Sequence, residues 1–422
     1  MNPPEDQYQQ FTEVLSEEEL RRLAAAYGVA DQRERKLPIR VFFWLMVLSA
    51  GQPTVRGALF QLVAFFVAAL SGLFPMAEAF TLTKMALSLK LKQTDWFFFR
   101  GVYNRLLSRY KELLPPSQLK QLDAFKEAFI LDATISRVHK VLNKVFQSVH
   151  EDQAACKVNV KYSLKNLTPE KIQVTEGKRH DSRFRGVTQQ PGVLYLFDLG
   201  YWGFMLLQKI IQAASFFVCR LKKSCDPLIV AVSQKRWQPL VGKRLSEILG
   251  LLKGEDHLDV TVKLSKAKKP RFNADIRLVG LLYEGTWRFY ITNIFQTAFT
   301  PQIIYDLYRQ RWAVEIFFNV FKHLLHVEHL ISRTKNGIMV EIYSALIFYL
   351  LTQIVIALAA QKIGRPIESF SFQRSFQLVR AFLVTHLSHL LDRSKAGLNE
   401  FFGRLVEAVA LLGLRDKIAR SP

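Results

Sequence analysis

The chain has 422 residues, with 58 lysines and arginines against 36 aspartates and glutamates, a formal charge of +22, and 50% hydrophobic residues. This length holds more than one ordinary domain, and this charge makes a polyanion the expected partner, nucleic acid first and an anionic membrane surface second. Three scattered cysteines, Cys156, Cys219 and Cys225, argue against a disulfide framework or a zinc cluster, and the polar, acidic start MNPPEDQYQQ lacks the pattern of an export signal.

The first predicted element is the helix of LSEEELRRLAAAYG, opened by a capping box of Ser16 and Glu19 and stopped at Gly28. Helical patterns continue through RVFFWLMVLSA, an apolar run from Gly57 to Phe74 and DWFFFRGVYNRLLSRYKELL, until Pro115 and Pro116 break the chain. Residues 1–115 therefore read as a helical N-terminal region. Its Arg21, Arg22, Arg33, Arg35 and Lys36 are available either to a DNA backbone or to a solvated helix face.

The periodicity then changes. AFILDATISRV, CKVNVKYSLKN and EKIQVTEG are short, β-branched or alternating segments, and GVLYLFDLGYWG is apolar enough for a strand inside a sheet. MLLQKIIQAA returns to helix. SFFVCRLK, HLDVTVKLS, DIRLVGLLYEG and TWRFYITNIF then form a second β-rich zone over 216–294, and helical patterns resume from Pro301. Within them Ser344 to Ala360 is nearly free of charge. This run and the earlier one sit at or below the roughly 20 residues that cross a bilayer, so both read as buried helices rather than membrane spans. Cytoplasmic placement follows as the expectation, with no membrane partner.

Two aspartates stand where apolar strand patterns end, Asp132 in FILDATIS and Asp198 in YLFDLGYW. If those strands are neighbours, both carboxylates emerge at one sheet edge, where a helical carboxylate could complete a metal site. Glu315, in LYRQRWAVEIFFNVFKHLL (307–325), is the candidate. On a continuous helix of about 100° per residue, Tyr308, Arg311, Glu315 and Lys322 fall within about 60° of one another. Trp312, Ile316, Val320 and Leu324 occupy the adjoining sector, the one expected to face the core. Taken alone the stripe equally describes an Arg311–Glu315 salt bridge on a solvated face. Three oxygen ligands without histidine or cysteine suit Mg²⁺, with Mn²⁺ possible, and such ions activate a nucleophile and stabilise the leaving oxygen of a phosphodiester.

These residues resemble the DDE transposases of bacterial insertion sequences, specifically insertion sequence family four. The resemblance rests on the tyrosine, arginine, glutamate, lysine signature with two, three and six residues between, on Asp132 followed by Ala133 and Thr134, and on Asp198 followed by Gly200 and Tyr201. It covers about 125–350. It implies an α/β fold with a ribonuclease H-like catalytic core (116–215 and 295–350) and a β-rich insertion (216–294), flanked by the helical N-terminal (1–115) and C-terminal (351–422) regions read from the sequence pattern.

The implied reaction is cut-and-paste DNA transposition: nicking at the terminal inverted repeats, a hairpin intermediate, its opening, and strand transfer. It implies Asp132, Asp198 and Glu315 as catalytic metal ligands, Tyr308, Arg311 and Lys322 on phosphates around a flipped base, and a tryptophan of the insertion stacked on that base. Trp287 is the candidate, with Trp237 a weaker second; packing within the sheet is the alternative for Trp287. In GKRHDSRFRG (177–186), Lys178, Arg179 and Arg183 are candidate DNA contacts, and His180 with Asp181 resembles a histidine–aspartate pair that supports the site. Expected partners are element ends, target DNA and a second copy of the chain on DNA, in a bacterial, nucleoid-associated setting. A nuclease or resolvase without strand transfer, and a non-catalytic basic DNA-binding protein, are the competing readings.

Overall fold

The structure is a computed structural model that describes residues 13–31, 37–52, 58–71, 82–114, 120–150, 153–184, 186–187, 190–264, 272–385 and 395–415. Arg33, Arg35, Lys36, Pro115 and Pro116, and the ends of the run from Gly57 to Phe74, lie outside the described residues. The chain forms two compact units. The first comprises 1–115, 135–156 and 318–422; the second comprises 116–134 and 157–317.

The helices of the first unit's amino-terminal part are α1 (Glu17–Ala26), α2 (Ile39–Ala50), α3 (Leu59–Phe65), α4 (Lys84–Gln93) and α5 (Phe97–Leu113). α1 starts as the sequence indicates, with the Ser16 hydroxyl accepting from the Glu19 N–H at 3.2 Å. The return half of the capping box is replaced: the Glu19 carboxylate takes Arg22 at 2.6 Å, and Arg21 pairs with Glu17 at 2.6 Å. Gly28 ends the helix at φ +66°, a conformation that glycine adopts without steric cost.

The second unit carries α6 (Phe204–Gln212), α7 (Leu245–Ile248) and α8 (Pro301–Arg309), with α9 (Trp312–Asn319) at its end. α10 (Lys335–Ile363), α11 (Phe372–Thr385) and α12 (Lys395–Leu412) complete the first unit. α10 is hydrophobic on every side, and such a helix needs an apolar environment all round. It is the single helix among the described residues long and apolar enough to cross a membrane, with a mean hydropathy of 2.1, yet its whole apolar window is buried, packed by α2, α5, α11 and α12. Its one buried acid, Glu341, accepts from the N–H groups of Ile331 at 3.1 Å and Ser332 at 2.8 Å, so the carboxylate is not left unpaired.

The sheet runs in the order β3-β2-β1-β4-β5-β9-β8-β7-β6. Its strands are β1 (Glu127–Val138), β2 (Ala154–Ser163), β3 (Thr168–Glu176), β4 (Val193–Phe197), β5 (Phe216–Arg220), β6 (Leu228–Val232), β7 (His257–Lys263), β8 (Ile276–Tyr283) and β9 (Thr286–Thr292). β1, β4 and β5 are parallel neighbours, whereas β5 to β9 and the β6 to β9 set pair antiparallel. β5 thus joins a parallel half to an antiparallel half. Every residue of β4 is buried, as its unbroken apolar run requires of a strand covered on both faces. β6 is the strand the sequence pattern leaves unmarked: LIVAV is five residues long and continuously apolar, a pattern that a strand and a buried helical turn share.

Candidate active site

The parallel ladder between β1 and β4 pairs Glu127 with Val193 and continues residue by residue to Leu131 with Phe197. The next residue on each strand is an aspartate, Asp132 on one and Asp198 on the other. Parallel strands in register therefore bring the two acids to the same level of the sheet, at the carboxyl end of the ladder. Each is oriented by a local hydrogen bond: Asp132 Oδ1 accepts from the Ala133 N–H, and Asp198 Oδ1 from the Gly200 N–H, both at 2.8 Å.

Glu315 reaches Asp132 through Arg311. One guanidinium nitrogen donates to Asp132 Oδ2 at 3.2 Å and the other donates to Glu315 Oε1, with the arginine, aspartate and glutamate side chains 18%, 15% and 33% exposed. The i, i+4 salt bridge that the sequence allowed is thus present, but it is anchored at a strand-borne aspartate instead of in solvent.

In this setting the Asp132 carboxyl is pushed up to about 7. Burial is the chief cause, reinforced by the charges of Asp198 and Glu315 and opposed by the Ala133 N–H and by Arg311. Tyr201, buried at the start of the next loop, has its hydroxyl shifted well above its usual value by burial and then by the charges of Asp181, Asp132 and Asp198. Three carboxylates therefore act on one side chain, and Asp181 is the strongest of them. Tyr201 donates to Asn159 Oδ1 at 3.4 Å, and Asn159 in turn donates to Thr175 Oγ1 at 3.3 Å.

Asp181 opens a short 3₁₀ turn (Asp181–Arg183) and pairs with Lys157 of β2 at 2.7 Å; the same ammonium donates to the Arg179 carbonyl at 2.6 Å. Lys157 is the group that the sequence reading overlooked. Its signal was faint: CKVNVKYS places Lys157, Asn159 and Lys161 on one face of a strand that is buried on both.

The segment 307–325 is not the single helix its spacing suggests. α8 ends at Arg309, a tight turn with i to i−3 bonds follows (Arg311 to Tyr308 at 3.0 Å, Ala313 to Gln310 at 3.0 Å), α9 begins at Trp312, and Val320–Leu324 is π-helical. A uniform 100° step therefore misplaces the apolar face. Trp312 and Ile316, expected in the core, are 62% and 53% exposed, while Val314 and Phe317 are buried. No glycine or proline marks the break. Lys322 lies in the π-helical turn of the first unit, half exposed.

Tyr308 packs on Tyr290 with ring centres 5.0 Å apart, and burial pushes its hydroxyl up to about 12. Trp287 sits at the β8–β9 hairpin end, stacked on Phe289 at 5.8 Å and partly buried; Trp237 is 3% exposed, so its ring offers no free face. Lys178, His180 and Arg183 are exposed and Arg179 half exposed.

Among the described residues there is no ready-made cluster of three or more metal-binding side chains. The donor set nonetheless fits a hard divalent cation. Asp132, Asp198 and Glu315 offer only carboxylate oxygens, and the Asp132 carboxyl, raised chiefly by burial, also feels the charges of Asp198 and Glu315.

β1 runs on through Asp132 to Val138, so this aspartate stands within its strand and not at its end, whereas Asp198 directly follows β4. A mixed sheet that brings these two aspartates level, with a glutamate from a following helix tied to Asp132 through an arginine, defines a class of protein that works with clustered carboxylates. Residues 123–351 match the family described as "Transposase DDE domain", and the chain belongs to it. It is 25% identical over 369 residues to the "Probable transposase for insertion sequence element IS5377" of Geobacillus stearothermophilus, covering 86% of this chain and 88% of that protein. It is 26% identical over 217 residues to the "Putative transposase y4zB" of Sinorhizobium fredii, covering 51% and 57%, and 23% identical over 312 residues to the "Transposase for insertion sequence element IS231F" of Bacillus thuringiensis subsp. israelensis, covering 63% and 64%.

Proposed function

We propose that the protein is an insertion-sequence transposase of insertion sequence family four, acting on duplex DNA in the bacterial cytoplasm. It binds the terminal inverted repeats, cleaves through a hairpin intermediate and transfers the strand to a target. The observation that carries this reading is that the β1–β4 register brings Asp132 and Asp198 level, with Glu315 tied to Asp132 by Arg311.

A ribonuclease H-like core is supported by the order β3-β2-β1-β4 with β1 and β4 parallel, a parallel set that β5, the first strand of the following segment, continues. On this reading 216–294 is the β-rich insertion, 116–215 and 295–350 form the core, and the flanking helical regions, 1–115 and 351–422, serve DNA binding and assembly of a homodimer that holds both ends.

Asp132, Asp198 and Glu315 would hold Mg²⁺ or Mn²⁺, which when bound activates the attacking oxygen and stabilises the leaving one. Arg311, positively charged between two carboxylates, holds the acids together against their mutual repulsion and offers a bidentate donor to a phosphate. Tyr308 and Lys322 complete the phosphate contacts, and Lys178, Arg179 and Arg183 lie along the backbone on either side. His180 and Asp181 support the site, and Trp287 stacks on an unpaired base.

Cleavage of a duplex carrying the element's end is expected with Mg²⁺ or Mn²⁺, and not with Ca²⁺, whose larger radius and looser geometry suit binding better than in-line attack. Full cleavage in EDTA would contradict the metal requirement.

A further inference from the structure

We propose that Lys157 is a positioning residue for the reaction, setting Asp198 through Asp181 and the close-fitting glycine at position 200; this rests on the reading of Asp198 as a metal-holding carboxylate. The geometry is a chain of contacts from β2 to the β4–α6 loop. The Lys157 ammonium holds Asp181 Oδ1 at 2.7 Å and the Arg179 carbonyl at 2.6 Å, which fixes the aspartate from one side. The other oxygen, Asp181 Oδ2, stands against Gly200. A β-carbon added there would lie 2.8 Å from Asp181 Oδ2 and 3.1 Å from Asp198 Oδ1, so both carboxylates crowd the space that a side chain at position 200 would need.

The peptide between them is the one whose N–H donates to Asp198 Oδ1 at 2.8 Å. Any movement of Asp181 is therefore passed to the donor that orients Asp198. Gly200 takes an ordinary backbone conformation, so its lack of a side chain serves space and not a special φ.

Charge explains why the post is a lysine. Asp181 already acts on Tyr201 more strongly than Asp132 or Asp198 does, so it belongs to the same field of negative charge. Without a cation of its own, a further carboxylate beside Asp198 would be repelled from it and the loop would open. Lys157, with its side chain 13% exposed, supplies that cation at Asp181 Oδ1, the oxygen other than the one against Gly200. Groups that orient metal-ligating side chains commonly change metal affinity about 10-fold to 100-fold when removed.

The test uses the full chain and a duplex bearing the element's end. Mn²⁺ is titrated both in the cleavage reaction and, without DNA, by the electron paramagnetic resonance signal of the free ion. Lys157→Met is expected to raise the half-saturating Mn²⁺ concentration by about 10-fold or more in both measurements, with thermal stability retained and the rate at saturating metal little changed. Lys157→Arg, which keeps the charge, is expected to restore most of the affinity. Asp181→Asn keeps the atoms against Gly200 and removes the ion pair, and is expected to raise the half-saturating Mn²⁺ concentration as Lys157→Met does, so the test stands even if one variant folds poorly. Unchanged Mn²⁺ affinity in Lys157→Met and Asp181→Asn would overturn the proposal. Asp198→Asn separates the two levels: if it cleaves normally, the reading of Asp198 itself fails, whatever Lys157 does.

Discussion

Glu315→Gln is expected to bind the element's end as the parent does and to lose cleavage by about 10³-fold or more, the size of effect that follows removal of a charge aligned with the reacting atoms. The glutamine keeps the shape and can still accept from Arg311, so the contact that spans the turn between α8 and α9 survives while one of the three negative charges is lost. Gel-shift titration and end cleavage, measured on the same preparation, separate the two effects. Cleavage that persists in this variant would mean that Glu315 is a structural salt-bridge partner only, and the third carboxylate would have to be sought elsewhere.

The second large effect concerns stability without metal. Asp132 is raised from 3.8 to about 7 in the folded protein, chiefly by burial and secondarily by Asp198 and Glu315. A carboxyl whose folded value lies above its unfolded value binds more protons when folded, so its ionisation costs stability as pH climbs from about 4 to about 7, and the full cost stands above 7. At about 1.4 kcal/mol per pKa unit this is on the order of 4 kcal/mol. Asp132→Asn removes that cost. In metal-free buffer at pH 8 it is expected to melt roughly 5 °C or more above the parent, with the difference vanishing near pH 4, where both side chains are neutral. A variant that melts below the parent at pH 8 would show that the Arg311 contact outweighs the burial of the charge. Lost activity alongside gained stability is the pattern of a strained functional site.

Which parts of this were legible in the sequence follows from how local each signal is. FILDATIS and YLFDLGYW carry their own message, because an aspartate after four or five buried apolar residues has no structural reason to be there. That β1 and β4 are neighbours is not local, since two strands and their turns separate them in the chain, and only the pairing of Leu131 with Phe197 reveals that the acids come level. The helical stripe was drawn on an ideal wheel. It brought Arg311 and Glu315 together because a four-residue spacing tolerates a tight turn upstream, but it misjudged Trp312 and Ile316, where a change of winding moves the buried face to Val314 and Phe317.

Lys157 stayed hidden for the same reason of distance. Its partner Asp181 is 24 residues away, and an alternating strand read without its neighbours gives no sign that both its faces are buried. The apolar run at Ser344 to Ala360 was the opposite case. Its all-round hydrophobicity states that the helix is enclosed, and the packing of α2, α5, α11 and α12 supplies the enclosure.

The most direct measurement is strand transfer by a precut end. A duplex ending in the element's terminal sequence with a free 3′ hydroxyl is incubated with the protein, Mg²⁺ and a supercoiled target plasmid, and the joined product is resolved on a gel. The expected result is covalent joining of the 3′ end to the plasmid, absent in Glu315→Gln and in EDTA. Cleavage of uncut ends without any joining of precut ones would make the protein a nuclease and contradict the account, and binding without either reaction would reduce its carboxylates to structure.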